Sequence, residues 1–224
     1  MEAKELRRIA RENLSGNWGL SIGVSFMAIM LGGLITNAGN FSVSYNADTM
    51  HDLPGILVTY LKAAASVGSA LSLVQFILGG TINLGYAQYL LKQYNKANFE
   101  FRDLFSQFHR FGQGFAQHFL RGLYTALWML LFIIPGIIKA ISYSMTPFIM
   151  AENPDMTAKD AINASKELMH GHKMDLFLLG LSFIGWSLLS ILTLGIGSIF
   201  LNPYINAAYA AFYKKITATE TVYE

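Results

Sequence analysis

The fold of this chain turns on residues 176–213, LFLLGLSFIGWSLLSILTLGIGSIFLNPYINAAYAAFY, which run for 38 residues without an Asp, Glu, Lys or Arg. At ~1.5 Å rise per residue, a single helix of that length reaches ~57 Å. The hydrocarbon core of a bilayer is only ~30 Å thick, and tilt does not absorb so large an excess. Gly195-Ile196-Gly197 and Asn202-Pro203 interrupt the stretch with helix-breaking residues. The stretch therefore reads as a hairpin of two spans, 176–194 and 196–213.

Working outward, the remaining charge-free runs parse in the same way, because a charge at the bilayer centre costs ~2.5–3.5 kcal/mol on insertion scales. Residues 18–36 and 67–91 are each long enough to cross. A third run, from Gly122, is split by Pro135-Gly136 into spans 119–134 and 137–151; Arg121 lies just inside the first, and Lys139 is the one charge enclosed by apolar sequence. These two halves are short for spans, so the count is six with four as its rival. The expected fold is all-α and polytopic. Residues 1–17 form an amphipathic N-terminal helix, 18–213 a single helical membrane domain, and 214–224 a short tail.

Composition agrees. Of 224 residues, 53% are hydrophobic and 13% charged, with mean hydropathy +0.39. Soluble domains carry about 25% charged residues, so the composition argues against an ordinary soluble enzyme and rules out a disordered chain and a coiled coil. A net charge of +2 gives no reason to expect a nucleic-acid partner. With no Cys there is no disulfide, thiolate metal site or cysteine nucleophile. The first apolar run exceeds the ~7–15 residues of a signal-peptide core, so it is expected to stay as a span. Lys4, Arg7, Arg8 and Arg11, then Lys92, Lys96, Arg102 and Arg110, then Lys214 and Lys215 place both termini on the cytoplasmic side. Lys159, Lys166 and Lys173 draw the loop at 152–175 to the same side, which favours six spans.

Three segments outside the spans have helical periodicity. In 3–14, Leu6, Ile9, Ala10 and Leu14 share a face, and Arg7, Arg8 and Arg11 suit contact with anionic headgroups. The same residues serve equally as a topology signal. In 99–111, Phe101, Leu104, Phe105, Phe108 and Phe111 form an aromatic stripe ended by Gly112 and Gly114, suited to the headgroup boundary or to packing on the bundle. In 157–170, Thr157 is the expected cap and Asp160 a weaker capping-box acid. Ala158, Ala161, Ile162, Ser165, Leu168 and Met169 line the apolar face there, and Gly171 ends the helix. Gly79-Gly80 and the pair Gly19 and Gly23 read as close helix contacts, the latter with small-xxx-small spacing.

Ala10-Arg11-Glu12-Asn13-Leu14 with Gly16-Asn17-Trp18-Gly19, then Ile133-Ile134-Pro135-Gly136-Ile137-Ile138-Lys139-Ala140, recur in a known order. Ala151-Glu152-Asn153-Pro154-Asp155, His170-Gly171-His172-Lys173 and Ala208-Tyr209-Ala210-Ala211-Phe212-Tyr213 follow. On these motifs the chain resembles the bacterial integral-membrane family known as domain of unknown function 975, from its N-terminus to about Tyr213. The resemblance implies a polytopic protein of the bacterial cytoplasmic membrane and carries over no activity or catalytic residue. The loop at 38–62 has no recognisable pattern.

No catalytic constellation stands out. His51, His109, His118, His170 and His172 make no metal-ligand spacing, and serine elbows and phosphate loops are absent. No metal, cofactor or enzymatic activity is expected. The polar positions within the spans are Lys139, Asn83, Asn202 and Asn206. Lys139 reads either as snorkelling past a hairpin turn or as facing a substrate beside a broken helix. The expected function is accordingly a non-enzymatic membrane component that binds lipid, another membrane protein or a second copy of itself. The alternative is a small transporter or channel for a polar or ionic solute.

Overall fold

The computed structural model describes residues 3–32, 55–193 and 196–220, and among them no strand occurs. The chain is all-α. The expected end of the first span, most of the 38–62 loop, the 194–195 turn and the last residues of the tail lie outside the described residues. The first helix, α1 (Ala3–Leu14), turns Leu6, Ala10 and Leu14 inward and packs most extensively on the last helix, α10 (Ile196–Glu220). Its expected apolar face is therefore covered by protein, and only its polar face stays outside.

Helix α2 (Trp18–Met30) joins α3 (Gly55–Tyr94) through a polar zipper. Ser21 Oγ lies 3.0 Å from Tyr89 OH, Ser25 Oγ 2.8 Å from Tyr86 OH, and Gln93 Nε2 donates to Ser21 Oγ at 2.8 Å. Helix α3 is 40 residues long and starts well before the expected boundary at 67. Its glycines let three neighbours approach closely. A methyl group on Gly79 would meet the Gly32 carbonyl oxygen at 2.7 Å, one on Gly80 that of Gly114 at 2.1 Å, and one on Gly85 that of Leu104 at 2.0 Å. The Gly79-Gly80 expectation holds, whereas Gly19 and Gly23 have nothing within 4 Å to meet.

The 99–111 stripe is not one helix. It forms two 3₁₀ turns, Phe101–Phe105 and Phe108–Arg110, and α4 (Phe111–Leu131) starts at once. Gly112 and Gly114 do not end a helix; they lie in its first turn, Gly114 against Thr81 of α3. Leu104 is buried, and Phe101, Phe105, Phe108 and Phe111 face outward.

The next break also differs from expectation. It falls at Phe132, in extended conformation (φ −157°, ψ 139°), rather than at Pro135-Gly136. Pro135 is in the first turn of α5 (Ile133–Ser142), where its missing N–H leaves no helical bond unmade. Gly136 closes the hairpin, since a Cβ there would lie 2.3 Å from Met129 Cγ. A turn at Tyr143–Met145 leads to α6 (Thr146–Glu152), with Pro147 again in the first turn.

Helix α7 (Ala158–Leu168) buries Ala158, Ala161, Ile162, Ser165 and Leu168, as its periodicity requires, and Gly171 ends the turn at φ +85°. Thr157 Oγ1 accepts the Asp160 N–H at 3.3 Å. The Asp160 carboxylate accepts the Thr157 hydroxyl at 2.6 Å instead of reaching back to the Thr157 backbone. The last arm up is α8 (Lys173–Leu181) and α9 (Ile184–Leu192), divided at Ser182-Phe183. Helix α10 passes through Pro203 without ending and continues over Lys214 and Lys215 to Glu220, where a tail was expected. The shared core runs from Leu6 and Leu14 through Tyr86 and Tyr89 to Phe148 and Phe212.

Candidate functional site

Two hairpins, α4–α5 and α9–α10, carry large side chains whose outer parts none of the described residues covers. At the first tip Leu130 is 86% exposed, Phe132 70% and Ile133 73%; near the second Leu192 is 79% exposed. Met174, Phe177, Leu178 and Leu181 extend this surface down α8. Burying one such side chain is worth roughly 1.5–3 kcal/mol, so the tip at 130–134 alone would forfeit on the order of 10 kcal/mol in water. Contiguous apolar surface of this kind marks a membrane or partner contact. Ile133–Glu152 (20 residues, mean hydropathy 1.4) and Lys173–Ser190 (18 residues, 1.3) are long and apolar enough to cross a membrane. Only 17% of the second is buried within the protein. Between α9 and α10 lies an open apolar groove of ≈ 190 Å³, lined by Trp186, Leu189, Ser190, Thr193, Gly197 and Leu201.

The charged groups gather at the helix breaks and along one end. A break frees backbone carbonyls, which need donors. Arg7 Nη1 donates to the Ser182 carbonyl at 3.4 Å, at the α8–α9 break. Ser165 Oγ of α7 donates to the Ser142 carbonyl at 2.8 Å, at the α5–α6 break. The two polar surface helices thus brace the two broken arms. Below them Glu152 accepts from Tyr213 OH at 2.7 Å and from Lys214, and Glu5 accepts from Lys215. The Lys215 hydrogen bond and charge hold the Glu5 carboxyl below the usual carboxylate range.

The polar residues singled out in the sequence do not converge on one centre. Lys139 Nζ lies over the Trp128 ring, 4.7 Å from its centroid, on the α4–α5 hairpin. Asn83 is fully buried on α3. Asn206 Nδ2 donates to the Asn202 carbonyl at 2.8 Å within α10. Arg8 is exposed and pairs with Glu12 at 3.4 Å, Arg11 is exposed, and Arg7 reaches inward. Among the described residues no three His, Asp or Glu side chains come together as metal ligands.

Sequence reasoning passed over a polar seam between α3 and α4. Gly114, Gln117 and Arg121 share the buried face of α4. Gln117 Nε2 donates to the Gly80 carbonyl at 3.4 Å, while its Oε1, Thr81 Oγ1, His118 Nδ1 and Arg121 Nη1 are enclosed without partners among the described residues. Arg121 was readable as the arginine inside the third apolar run. Its burial was not, because that depends on Gly80 and Gly114 drawing the two helices together.

No curated protein and no solved structure matches the chain. One family model matches residues 1–142 and 129–220, and so covers nearly all of it. On this match the chain belongs to the family described as Protein of unknown function (DUF975).

Proposed function

We infer that this is a multi-pass membrane protein without catalytic chemistry, which binds phospholipid along its outward apolar arms. The observation that carries the reading is the pair of nearly bare hairpin tips standing on an ion-paired base. Six passes, through α2, α3, α4, α5–α6, α8–α9 and α10, are the topology that fits it. The Glu5–Lys215 pair ties the first helix to the last, which supports an even number of passes with both termini on one side. Lysine and arginine placement makes that side cytoplasmic. The family resemblance argues for the bacterial cytoplasmic membrane. A transport path would need Lys139 between helices; its ammonium instead covers an outward ring, Trp128 being 39% exposed.

Two measurements test this. In intact cells, Asn163→Cys on the exposed side of α7 is expected to react with a membrane-impermeant thiol reagent only after lysis, and Ala47→Cys before it. Labelling of Asn163→Cys in intact cells would rule out the six-pass topology. The purified protein is expected to retain phospholipid through detergent exchange, read by native mass spectrometry. Lipid-free protein would refute the lipid-binding function.

A further inference from the structure

The polar side of α1 is only partly paired. Glu5 and Glu12 are engaged by Lys215 and Arg8. Arg7 and Arg11, one helical turn apart, form no ion pair among the described residues. Arg7 is half-buried: its Nη1 donates to the Ser182 carbonyl at 3.4 Å, and its Nη2 is neither bonded nor enclosed. Arg11 is exposed, and its guanidinium makes no hydrogen bond among the described residues. The charges of Arg11 and Arg7 both act on the hydroxyl of Tyr204 in α10. That hydroxyl is likewise unbonded among the described residues and not enclosed. The same corner closes one end of the open apolar groove between α9 and α10. Trp186 and Leu201 line the groove from its two sides. Three residues from each, at the α8–α9 break, Phe183 and Tyr204 meet edge to face with ring centroids 5.3 Å apart. Ser182, whose carbonyl Arg7 takes, is the next residue. Trp186 is 54% and Leu189 51% exposed, so the groove opens outward.

We propose that Arg7, Arg11 and Tyr204 bind the headgroup phosphate of an anionic phospholipid whose acyl chain lies in the α9–α10 groove. The proposal rests on the lipid-binding function above and names its headgroup class. Charge selects the ligand. The site offers donors only: an Arg11 fork that matches two phosphate oxygens, one free nitrogen of Arg7 and a phenolic hydroxyl. The acids nearest in α1 are already paired, so a choline ammonium finds no counter-charge here, whereas a headgroup with net negative charge neutralises the two arginines. Shape selects the lipid over a free anion. The donors stand at the end of an outward-opening apolar groove, which a phosphate without a chain leaves empty. A basic helix at the headgroup level is also where cations gain most from an anionic leaflet.

The test uses the full chain in dodecyl maltoside, which contains no phosphate, with equal amounts of dioleoyl phosphatidylglycerol and dioleoyl phosphatidylcholine. Native mass spectrometry reads the lipid retained. The parent chain is expected to prefer phosphatidylglycerol by about tenfold or more, from roughly fivefold for each arginine at an anionic headgroup. Arg11→Gln is expected to lower that preference about fivefold, and Tyr204→Phe, which keeps the ring on Phe183, by a similar factor. Arg8→Gln makes the same charge change on the same helix, at an exposed arginine already paired with Glu12, and leaves the preference unaltered. Equal loss in Arg8→Gln and Arg11→Gln would overturn the site, because diffuse attraction to the helix then explains the preference. Arg11 is exposed, so its variant keeps the fold; Tyr204→Phe reads the site without any change of charge. Glycerol 3-phosphate, which has the phosphate and no chain, is expected not to displace phosphatidylglycerol at equal concentration; displacement overturns the lipid as occupant. Both lipids retained equally, with Arg11→Gln unchanged from the parent, removes this site and leaves the lipid-binding function standing. A parent chain that retains neither lipid overturns both.

Discussion

Substituting Gly80 by alanine places a carbon 2.1 Å from the Gly114 carbonyl oxygen, 2.7 Å from the Gly114 carbonyl carbon and 2.8 Å from His118 Cβ. Two of these atoms are backbone, so no rotamer change relieves the contact, and α3 and α4 must separate by about 1 Å to reach ordinary packing distance. Overpacking of this kind costs typically 1–3 kcal/mol. Against it stands the gain from replacing glycine inside a helix, roughly 0.5–1 kcal/mol. A rigid backbone contact belongs at the upper end, so the net loss is about 2 kcal/mol. In a chain of this length that lowers the melting temperature by roughly 4–8 °C. The control is internal, since alanine at Gly23 or Gly122 meets nothing within 4 Å and keeps only the helix gain. Those variants are expected to melt at or slightly above the parent. Thermal unfolding in detergent, followed by circular dichroism at 222 nm as is usual for helices, gives all three values. If Gly80→Ala melts with or above Gly23→Ala, the close approach of α3 and α4 does not exist in solution, and the polar seam built on it falls too.

Two further outcomes follow from the same geometry. Ser25→Ala leaves the buried Tyr86 hydroxyl without its 2.8 Å partner and should cost about 1–3 kcal/mol. The double variant with Tyr86→Phe should recover part of that, and purely additive losses in the cycle would deny the bond. The Glu5 carboxyl, held below its usual range by Lys215, contributes stability that is fully present above the ordinary carboxylate pKa and is lost as pH falls through the lowered value. Limited proteolysis at the N-terminus should therefore accelerate on acidification below about pH 4 in the parent. In Glu5→Gln it should already be fast at neutral pH; equal rates in both chains would remove the pair as the clamp between α1 and α10.

How much of this was legible beforehand varied by element. Helix α7 was readable almost residue by residue, because its cap, its apolar spacing and Gly171 are local signals. The aromatic stripe at 101–111 was misread as a helix. Its i, i+3 and i+4 spacing also suits 3₁₀ turns, and the choice was made by the Leu104 carbonyl lying against Gly85 and by Ser106 bonding Gln88 at 2.6 Å. Pro135-Gly136 was rightly taken as the mark of a hairpin but misplaced the turn. Proline fits a first helical turn as well as a break, and only the packing of Gly136 on Met129 locates the fold-back at Phe132.

The sequence by itself determined what depends on composition and local period: an all-helical chain, apolar enough for a bilayer, with all charges but Arg121 and Lys139 in its ends and connections. Burial is a property of pairs of surfaces, and those pairs are distant in the chain. Tertiary structure alone decided that α1 shelters its apolar face on α10, 200 residues away by number, through Glu5 and Lys215 some 210 positions apart. It also decided that Arg7 and Ser165 brace broken arms, and that Arg121 lies enclosed beside Gln117 while Lys139 covers an outward ring. Lys139 drew notice in the sequence because apolar residues flank it. Arg121 is the more deeply buried charge, because three-dimensional neighbours, and not chain neighbours, set the dielectric around a side chain.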